Sequence, residues 1–461
     1  MEENKNEEGH RDVIQLDDEI LSNISTLIEE RAAESLLNIV LDLHPADTAE
    51  ILNHIKFDDA KYLFHLLPTE TAGEVIVELD ESLRERLLEH IDADKITDIV
   101  DELDVDDATD IVADLPDDVA EQVLDNIDPE YSDDVKELLK YPEDSAGGIM
   151  NSDFIEINEK AAVKDAIEEI RKNSAEIDHI YHIYVVNDAG QLVGLVLLKN
   201  LLLNPLDTPI SSLIEEDLFS VEAEADQEEA ANMMEKYYLI ALPVVDKNRK
   251  MLGRITIDDI VDVIHEEAAE DIQKIAGLSE EEEFAHSIFR VSRIRLPWLL
   301  FGLMGEMVSA IVLSSFQASI EKVLISSFFV PIVMAMGGSS GTQSAIVVVR
   351  AMATSEVWMG AAFSRLSKEF GIALLNGLAC SVILLIATHF FWEANIGFSI
   401  VLSISLLIIM INATMIGAMA PILLNKMNID PAIATGPFVA TANDILGLLI
   451  YFLLLTNFYA G

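Results

Sequence analysis

The 461-residue sequence holds a single cysteine, Cys380, set in an apolar segment. That excludes a disulfide framework and a thiolate zinc site. Base is scarce as well: 29 Lys and Arg stand against 82 Asp and Glu, a formal net charge of −53. A surface of that sign disfavours nucleic acid and anionic lipid as partners and suits cations. Charge of either sign is rare in one region. Residues 296–461 contain seven acids and five bases, so all but −2 of the net charge lies in residues 1–295. The start, Met1 to Asp12, is polar and acidic and reads as lacking a cleavable signal sequence.

Hydrophobic residues nevertheless make up 51% of the chain. Such charge and such hydrophobicity conflict in one globular domain and agree in a two-part molecule, an acidic soluble half joined to a membrane half. Residues 1–35 read as an acidic tail and a first helix. A repeat follows: Leu43, Ile55, Leu67, Leu79, Ile91, Leu103, Leu115, Ile127 and Leu139 recur every twelve residues. Val40, Leu52, Phe64, Ile76, Leu88, Val100, Val112 and Leu124 run in step three places earlier, and helix starters such as Pro45, Asp80, Asp92, Asp104, Pro116 and Asp128 follow each apolar end. One short helix per repeat predicts an α-solenoid over 36–140. Its acids concentrate at 101–110 and 116–118, beyond what N-caps require. Clustered carboxylates are what hard divalent cations bind.

From Tyr141 the pattern changes to alternating α and β. Helix 161–172, strand 180–186, turn 187–190 and strand 191–198 precede a short helix. Helix 226–236, strand 239–245, turn 246–249, strand 251–257 and helix 258–263 repeat that order. This tandem resembles a pair of cystathionine-β-synthase (CBS) domains, assigned here to 141–264. Gly253, Arg254, Ile255, Thr256, Ile257, Asp258 and Asp259 fit that family's nucleotide-ribose signature, which implies Thr256 and Asp258 as nucleotide contacts. In the first copy Leu197 and Asn200 replace the hydroxyl and the acid, so weak or absent ATP binding is expected. Residues 265–290 then form a connecting helix. Spacings of three and four place Glu267, Glu270 and Asp271 on one face, where they repel unless a cation or a base lies opposite.

Five apolar spans are predicted in 291–461, near 296–316, 323–350, 369–391, 396–424 and 432–459. Arg290, Arg293 and Arg295, then Arg350, Arg365 and Lys368, then Lys426 flank alternate connectors. Positive-inside reasoning puts the N-terminal half in the cytosol and the C-terminus outside a plasma membrane. Pro331 and the run from Gly337 to Gln343 are expected to interrupt the second span and, with Asn412, Asn443 and the Gly436–Pro437 break, to line a polar route. Asp444 is the focus. A carboxylate at membrane depth costs a few kcal/mol or more and marks function by default; a buried structural acid at a broken helix is the alternative. Asp444 shows no second buried acid, which argues against an intramembrane aspartyl protease, and no enzymatic activity is expected.

The whole order, with residues 144–150, 331–345 and the stretch around Asp444, closely resembles the MgtE family of magnesium channels. The resemblance implies a multi-domain homodimer: an α-solenoid domain, an α/β CBS pair, a plug helix and an all-α transmembrane domain of five helices. It implies Mg²⁺ as the ion carried and sensed, with no nucleic acid as partner. Asp444, Ala440 and Asn443 are then the pore residues. Glu267, Glu270, Asp271, Asp259, Asp262, Asp226, Glu228, Asp106 and Asp110 are the cytosolic Mg²⁺ ligands. The chain departs from the family at Ser339, Gly436, Tyr238, Asn200, Leu239 and His182. A proton-coupled divalent cation transporter and a non-transporting membrane nucleotide sensor are the rival readings.

Overall fold

The computed structural model describes residues 16, 18–174, 177, 180–215, 218–276, 288–353, 362–427, 429–431 and 436–460. The chain divides into two compact units, Met1–Glu266 and Glu267–Gly461. The acidic tail before residue 16, residues 277–287 of the connecting segment and residues 432–435 of the fifth predicted span lie outside the described residues.

In the first unit, α1 (Asp18–Glu29) and α2 (Ala33–Asp42) lead into eight short helices: α3 (Pro45–His54), α4 (Phe57–Leu66), α5 (Thr69–Val77), α6 (Glu81–Leu88), α7 (Ala93–Val100), α8 (Val105–Ala113), α9 (Asp117–Asn126) and α10 (Pro129–Leu138). Their first residues step by twelve from 45 to 129, the period of the apolar repeat. Helices this short are marginal alone and depend on tertiary packing. Leu52, Phe64, Ile76, Leu88, Val100 and Val112 supply it, all buried, and alternate helices stack, α3 on α5, α5 on α7, α7 on α9. Asp80, Asp92 and Asp104 do stand at N-cap positions, yet none makes a side-chain cap hydrogen bond. Capping therefore explains fewer of these acids than their positions suggest.

Two three-stranded sheets follow. The first comprises β1 (Glu156–Asn158), β2 (His182–Val186) and β3 (Leu192–Leu197), with helices α11 (Val163–Asn173) and α12 (Leu198–Leu203). The second comprises β4 (Val221–Glu222), β5 (Ala241–Val245) and β6 (Met251–Thr256), with α13 (Gln227–Tyr237) and α14 (Ile257–Ala276). In each, a short parallel strand lies beside an antiparallel hairpin that carries a bulge at the same point, Val185/Val186 and Val244/Val245. The hairpin turns join: Leu192 N–H donates to the Arg249 carbonyl (2.8 Å) and Gln191 Nε2 to that of Asn248 (2.9 Å). One apolar core runs from Val135 and Leu138 through Ala146 and Met150 into Leu242, Val244, Ile255 and Ile260, while the first repeat packs its own around Ile183, Val185 and Val196. The solenoid is thereby fused to β6 and α14. The expected pair of helices near 258–263 and after 265 is one helix, because no Gly or Pro occurs between 257 and 276 to break it.

The second unit contains α15 (Ile288–Ser315), α16 (Gln317–Lys322), α17 (Val330–Ala353), α18 (Ala362–Phe391), α19 (Ile396–Lys426) and α20 (Pro437–Leu455). Among the described residues, five stretches are long and apolar enough to cross a membrane: Val291–Ser315, Leu324–Met352, Ser364–Phe391, Ile396–Lys426 and Phe438–Tyr459. α19 packs against α17, α18 and α20, and α15 against α20. Phe329, Phe398, Leu402, Leu406, Tyr451 and Phe452 fill the space between them. The expected interruption of the second span is corrected here. Pro331 sits in the first turn of α17, where a missing N–H is harmless, and the glycine run continues as helix. Its role is close approach: a Cβ on Gly417 of α19 would lie 2.1 Å from the Gly341 carbonyl oxygen of α17. Ser340 and Thr414 share a hydrogen bond of 2.7 Å across the same seam.

Candidate metal sites

The solenoid and the second α/β repeat bring carboxylates together in the first unit. Asp106 and Asp107 open α8, while Asp258 and Asp259 open α14. With Asp104 and Asp153 they line a cavity of about 80 Å³, along with Asn151, Arg254 and Thr256. Asn151 Nδ2 donates to Asp106 Oδ1 (2.9 Å), and Thr256 Oγ1 donates to Asp259 Oδ2 (2.7 Å). Burial holds Asp106 well above the ordinary carboxylate range, with Asp107, Asp259 and Asp104 adding repulsion. Asp107 is pushed up to about 7 by burial and then by Asp259 and Asp104. Asp259 rises to about 6, burial outweighing the Thr256 hydrogen bond. Oxygen donors at this density, outnumbering the one guanidinium beside them, fit a hard divalent cation.

Two further acid groups adjoin. Asp110 is pushed up to about 7 by burial, with Arg84 opposing and Asp114, Glu143 and Glu266 adding. Glu81, Glu85 and Asp114 place carboxylate oxygens within 4.8 Å of one another, and Arg84 Nε bonds Asp114 Oδ2 at 2.7 Å. Burial also raises Asp262, and burial followed by repulsion from Asp262 raises Glu78.

Of the expected ligands, then, Asp106 and Asp259 meet in one cavity, whereas Asp110 and Asp262 face separate acid groups. Asp226 is the N-cap of α13 and accepts from the Glu228 N–H at 2.8 Å, which gives it a structural task. Asn232 Nδ2 reaches the Glu228 carboxylate at 3.4 Å. Glu267 lies on α14 in the second unit, half-buried. Glu270 pairs with Lys274, whose Nζ also lies 2.8 Å from Asp430 Oδ2. The base that the charge spacing demanded is thus on the same helix. Asp271 belongs to α14, but its side chain lies outside the described residues. Tyr238 ends α13 in the left-handed region at φ 53° and is 90% exposed.

In the membrane unit, Gly436 caps α20 and Pro437 occupies its first turn, so the backbone break precedes the helix. Asp444 lies about 10 Å along it at 1.5 Å per residue. The acid whose charge acts on Asp444 is Glu306 on α15, which is exposed rather than buried. Gly305 permits the close approach of α15 to α20, since a Cβ there would lie 2.0 Å from Thr441 Cγ2. Asn443 faces elsewhere. It packs at Gly341, is 3% exposed, and neither amide atom has a hydrogen-bond partner among the described residues. Ala440 sits in the first turn of α20, its carbonyl within the regular helix. Glu369 on α18 is also buried, accepting from Ser344 Oγ at 2.9 Å and facing Arg365 at 3.6 Å.

Sequence reasoning did not single out Asp153, Glu81, Glu85, Asp114 or Glu306, and among candidate cation ligands it took in Asp104 and Asp107 only as part of the acidic run 101–110. Asp107 was accessible in principle, standing beside Asp106 at a helix start. Glu306 carried a signal too, as the lone charge between 296 and 315.

Comparison with known proteins agrees with this layout. Residues 43–144 match the family described as the MgtE intracellular N domain, 146–206 and 210–266 match CBS domains, and 330–454 match MgtE, a divalent cation transporter. A solved structure of the cytosolic domain of the Mg²⁺ channel MgtE in complex with ATP is 27% identical, with a TM-score of 0.49, and covers 53% of this chain and 99% of its own. Magnesium transporter MgtE of Thermus thermophilus is 33% identical over 322 residues, 69% of this chain and 71% of that protein. Magnesium transporter MgtE of Bacillus subtilis is 33% identical over 442 residues, 96% of this chain and 98% of that protein. With a relative at that identity over nearly its whole length, and with the family models matching in turn along it, the chain belongs to the MgtE family.

Proposed function

We propose that this protein is a homodimeric Mg²⁺ channel that imports the ion and is held shut by cytosolic Mg²⁺. The observation that carries the reading is Asp444, a carboxylate in a span of otherwise uncharged residues. Mg²⁺ prefers octahedral oxygen ligation and loses water reluctantly. A pore can therefore pass it largely hydrated, with the Asp444 carboxylates of two copies selecting for charge. Positive-inside asymmetry supports a reading with the acidic domains in the cytosol and the C-terminus outside. There Asp106, Asp107 and Asp259, with their neighbours, would hold Mg²⁺ in the compact form. Without the ion their repulsion favours a looser form. The ion shifts the population because its sites exist only when the acids are gathered.

Replacement of Asp444 by Ala or Asn is expected to abolish Mg²⁺ flux in proteoliposomes without loss of expression; wild-type flux in Asp444→Ala would sink the pore assignment. Neutralising Glu267, Glu270 and Asp271 together is expected to leave the channel conducting at high internal Mg²⁺.

One observation favours the second reading, a proton-coupled carrier. Asp444 has a second carboxyl group, that of Glu306 on α15, within electrostatic reach, and neighbouring carboxyl groups are suited to sharing and passing a proton. Flux with and without an imposed pH gradient separates the two, since a channel needs only the Mg²⁺ gradient.

A further inference from the structure

Arg254 is 8% exposed in β6 and is the basic side chain that lines the acidic cavity. Its backbone pairs with Asn151 in both directions, at 2.8 and 2.9 Å, and Asn151 passes the link on to Asp106 through its amide. Among the described residues, six carboxylates, of Asp104, Asp106, Asp107, Asp153, Asp258 and Asp259, share the cavity with this one guanidinium. A guanidinium keeps its proton in proteins, so the charge is permanent. The nearby imidazole adds no second charge: burial first, and then Arg254 itself, lower His182 to about 4.

We propose that Arg254 is a built-in counter-cation of this cavity and that its charge sets how much Mg²⁺ the cytosolic part needs before it compacts. The inference rests on the reading of the cavity as a Mg²⁺ site. One positive charge against six carboxylates leaves the site strongly anionic. The guanidinium keeps the empty cavity tolerable but cannot satisfy it. It also draws on the same oxygens as an incoming cation, so every bound Mg²⁺ works against it. Removing the charge makes the empty cavity less stable and the Mg²⁺-filled one more favoured. About 80 Å³ holds a cation with two or three waters, at roughly 30 Å³ per water.

The test uses full-length protein and three chains: wild type, Arg254→Gln and Arg254→Lys. Protection of the cytosolic half from protease is titrated with MgCl₂ at constant ionic strength. Arg254→Gln is expected to reach half-protection at roughly tenfold lower Mg²⁺, the scale of one partly buried unit charge, and Arg254→Lys to stay close to wild type. An unchanged midpoint in Arg254→Gln overturns the inference, as does an equal shift in Gln and Lys, which would mark packing. Thermal melting covers a poorly folding variant. A deficit of Arg254→Gln in EDTA that saturating Mg²⁺ removes supports the counter-cation, and a deficit of the same size in both overturns it. Wild-type protection that is identical in KCl and MgCl₂ defeats the reading of the cavity itself, and the inference with it.

Discussion

Lys274 Nζ lies 2.8 Å from Asp430 Oδ2 and is paired at the same time with Glu270, one turn earlier on α14. Asp430 stands in the connector between α19 and α20. Burial works against the ammonium, but its hydrogen bonds to Asp430 and Glu270 hold its pKa well above the usual lysine range. All three side chains are part-exposed, so the triad contributes no more than about 1 kcal/mol to stability. Its weight falls on ion binding, because Lys274 occupies a carboxylate proposed as a Mg²⁺ ligand. Lys274→Met is expected to free Glu270 and shift channel closure to lower internal Mg²⁺, with Asp430→Asn shifting it less. Closure curves from patch recordings decide this; an unmoved midpoint in Lys274→Met would remove Glu270 from the Mg²⁺ sites.

Acid should replace magnesium in the cytosolic unit. Asp107 and Asp110 sit at about 7 and Asp259 at about 6, against about 3.9 for a free Asp. The unfolded chain thus loses these protons near pH 4, while the folded unit retains them until pH 6 to 7. With more protons bound in the folded state, stability falls as pH rises through that window. In EDTA, the melting temperature of the cytosolic transition is expected to be higher at pH 6 than at pH 8. The gain on adding Mg²⁺ should be larger at pH 8. Calorimetric melts at both values check the sign, and a larger Mg²⁺ gain at pH 6 would contradict it.

ATP is expected to bind weakly or not at all. Thr256 is 8% exposed and its hydroxyl already donates to Asp259, and the first repeat offers Leu197 and Asn200 in place of a hydroxyl and an acid. Isothermal titration of the full chain with ATP should give no saturable heat in the low micromolar range.

The seam between α17 and α19 should tolerate no added methyl at Gly417. The clash there is with the backbone of Gly341, at 2.1 Å from its oxygen and 2.8 Å from its carbon, so no side chain can swing aside. Gly417→Ala is expected to cost about 1–3 kcal/mol or more, read as a lower melting temperature and poorer monodispersity in detergent. Gly338→Ala is the control, since a Cβ there meets nothing within 4 Å, and it should be neutral or slightly stabilising.

The repeat was fully legible. Apolar residues every twelve positions dictate one short helix per repeat, and α3 to α10 begin on that period. The five spans were legible for a similar reason, since length and hydropathy alone decide which helices can cross a bilayer. Strands β1 and β4 were not, because three and two residues are too few to show an alternation. The glycine run in α17 was misread as a break. Glycine spacing does not reveal whether small residues open a route or let two helices close, and the approach of Gly417 decides for closing. Asp444, Asp106 and Asp259 could be picked out as chemistry from their sequence setting. Only the tertiary structure could set Glu306 against Asp444, and Arg254 beside Asp104, Asp106, Asp107 and Asp153. Those relationships join residues 138 and about 100–150 positions apart in the chain, and helix packing, which no local pattern encodes, brings them together.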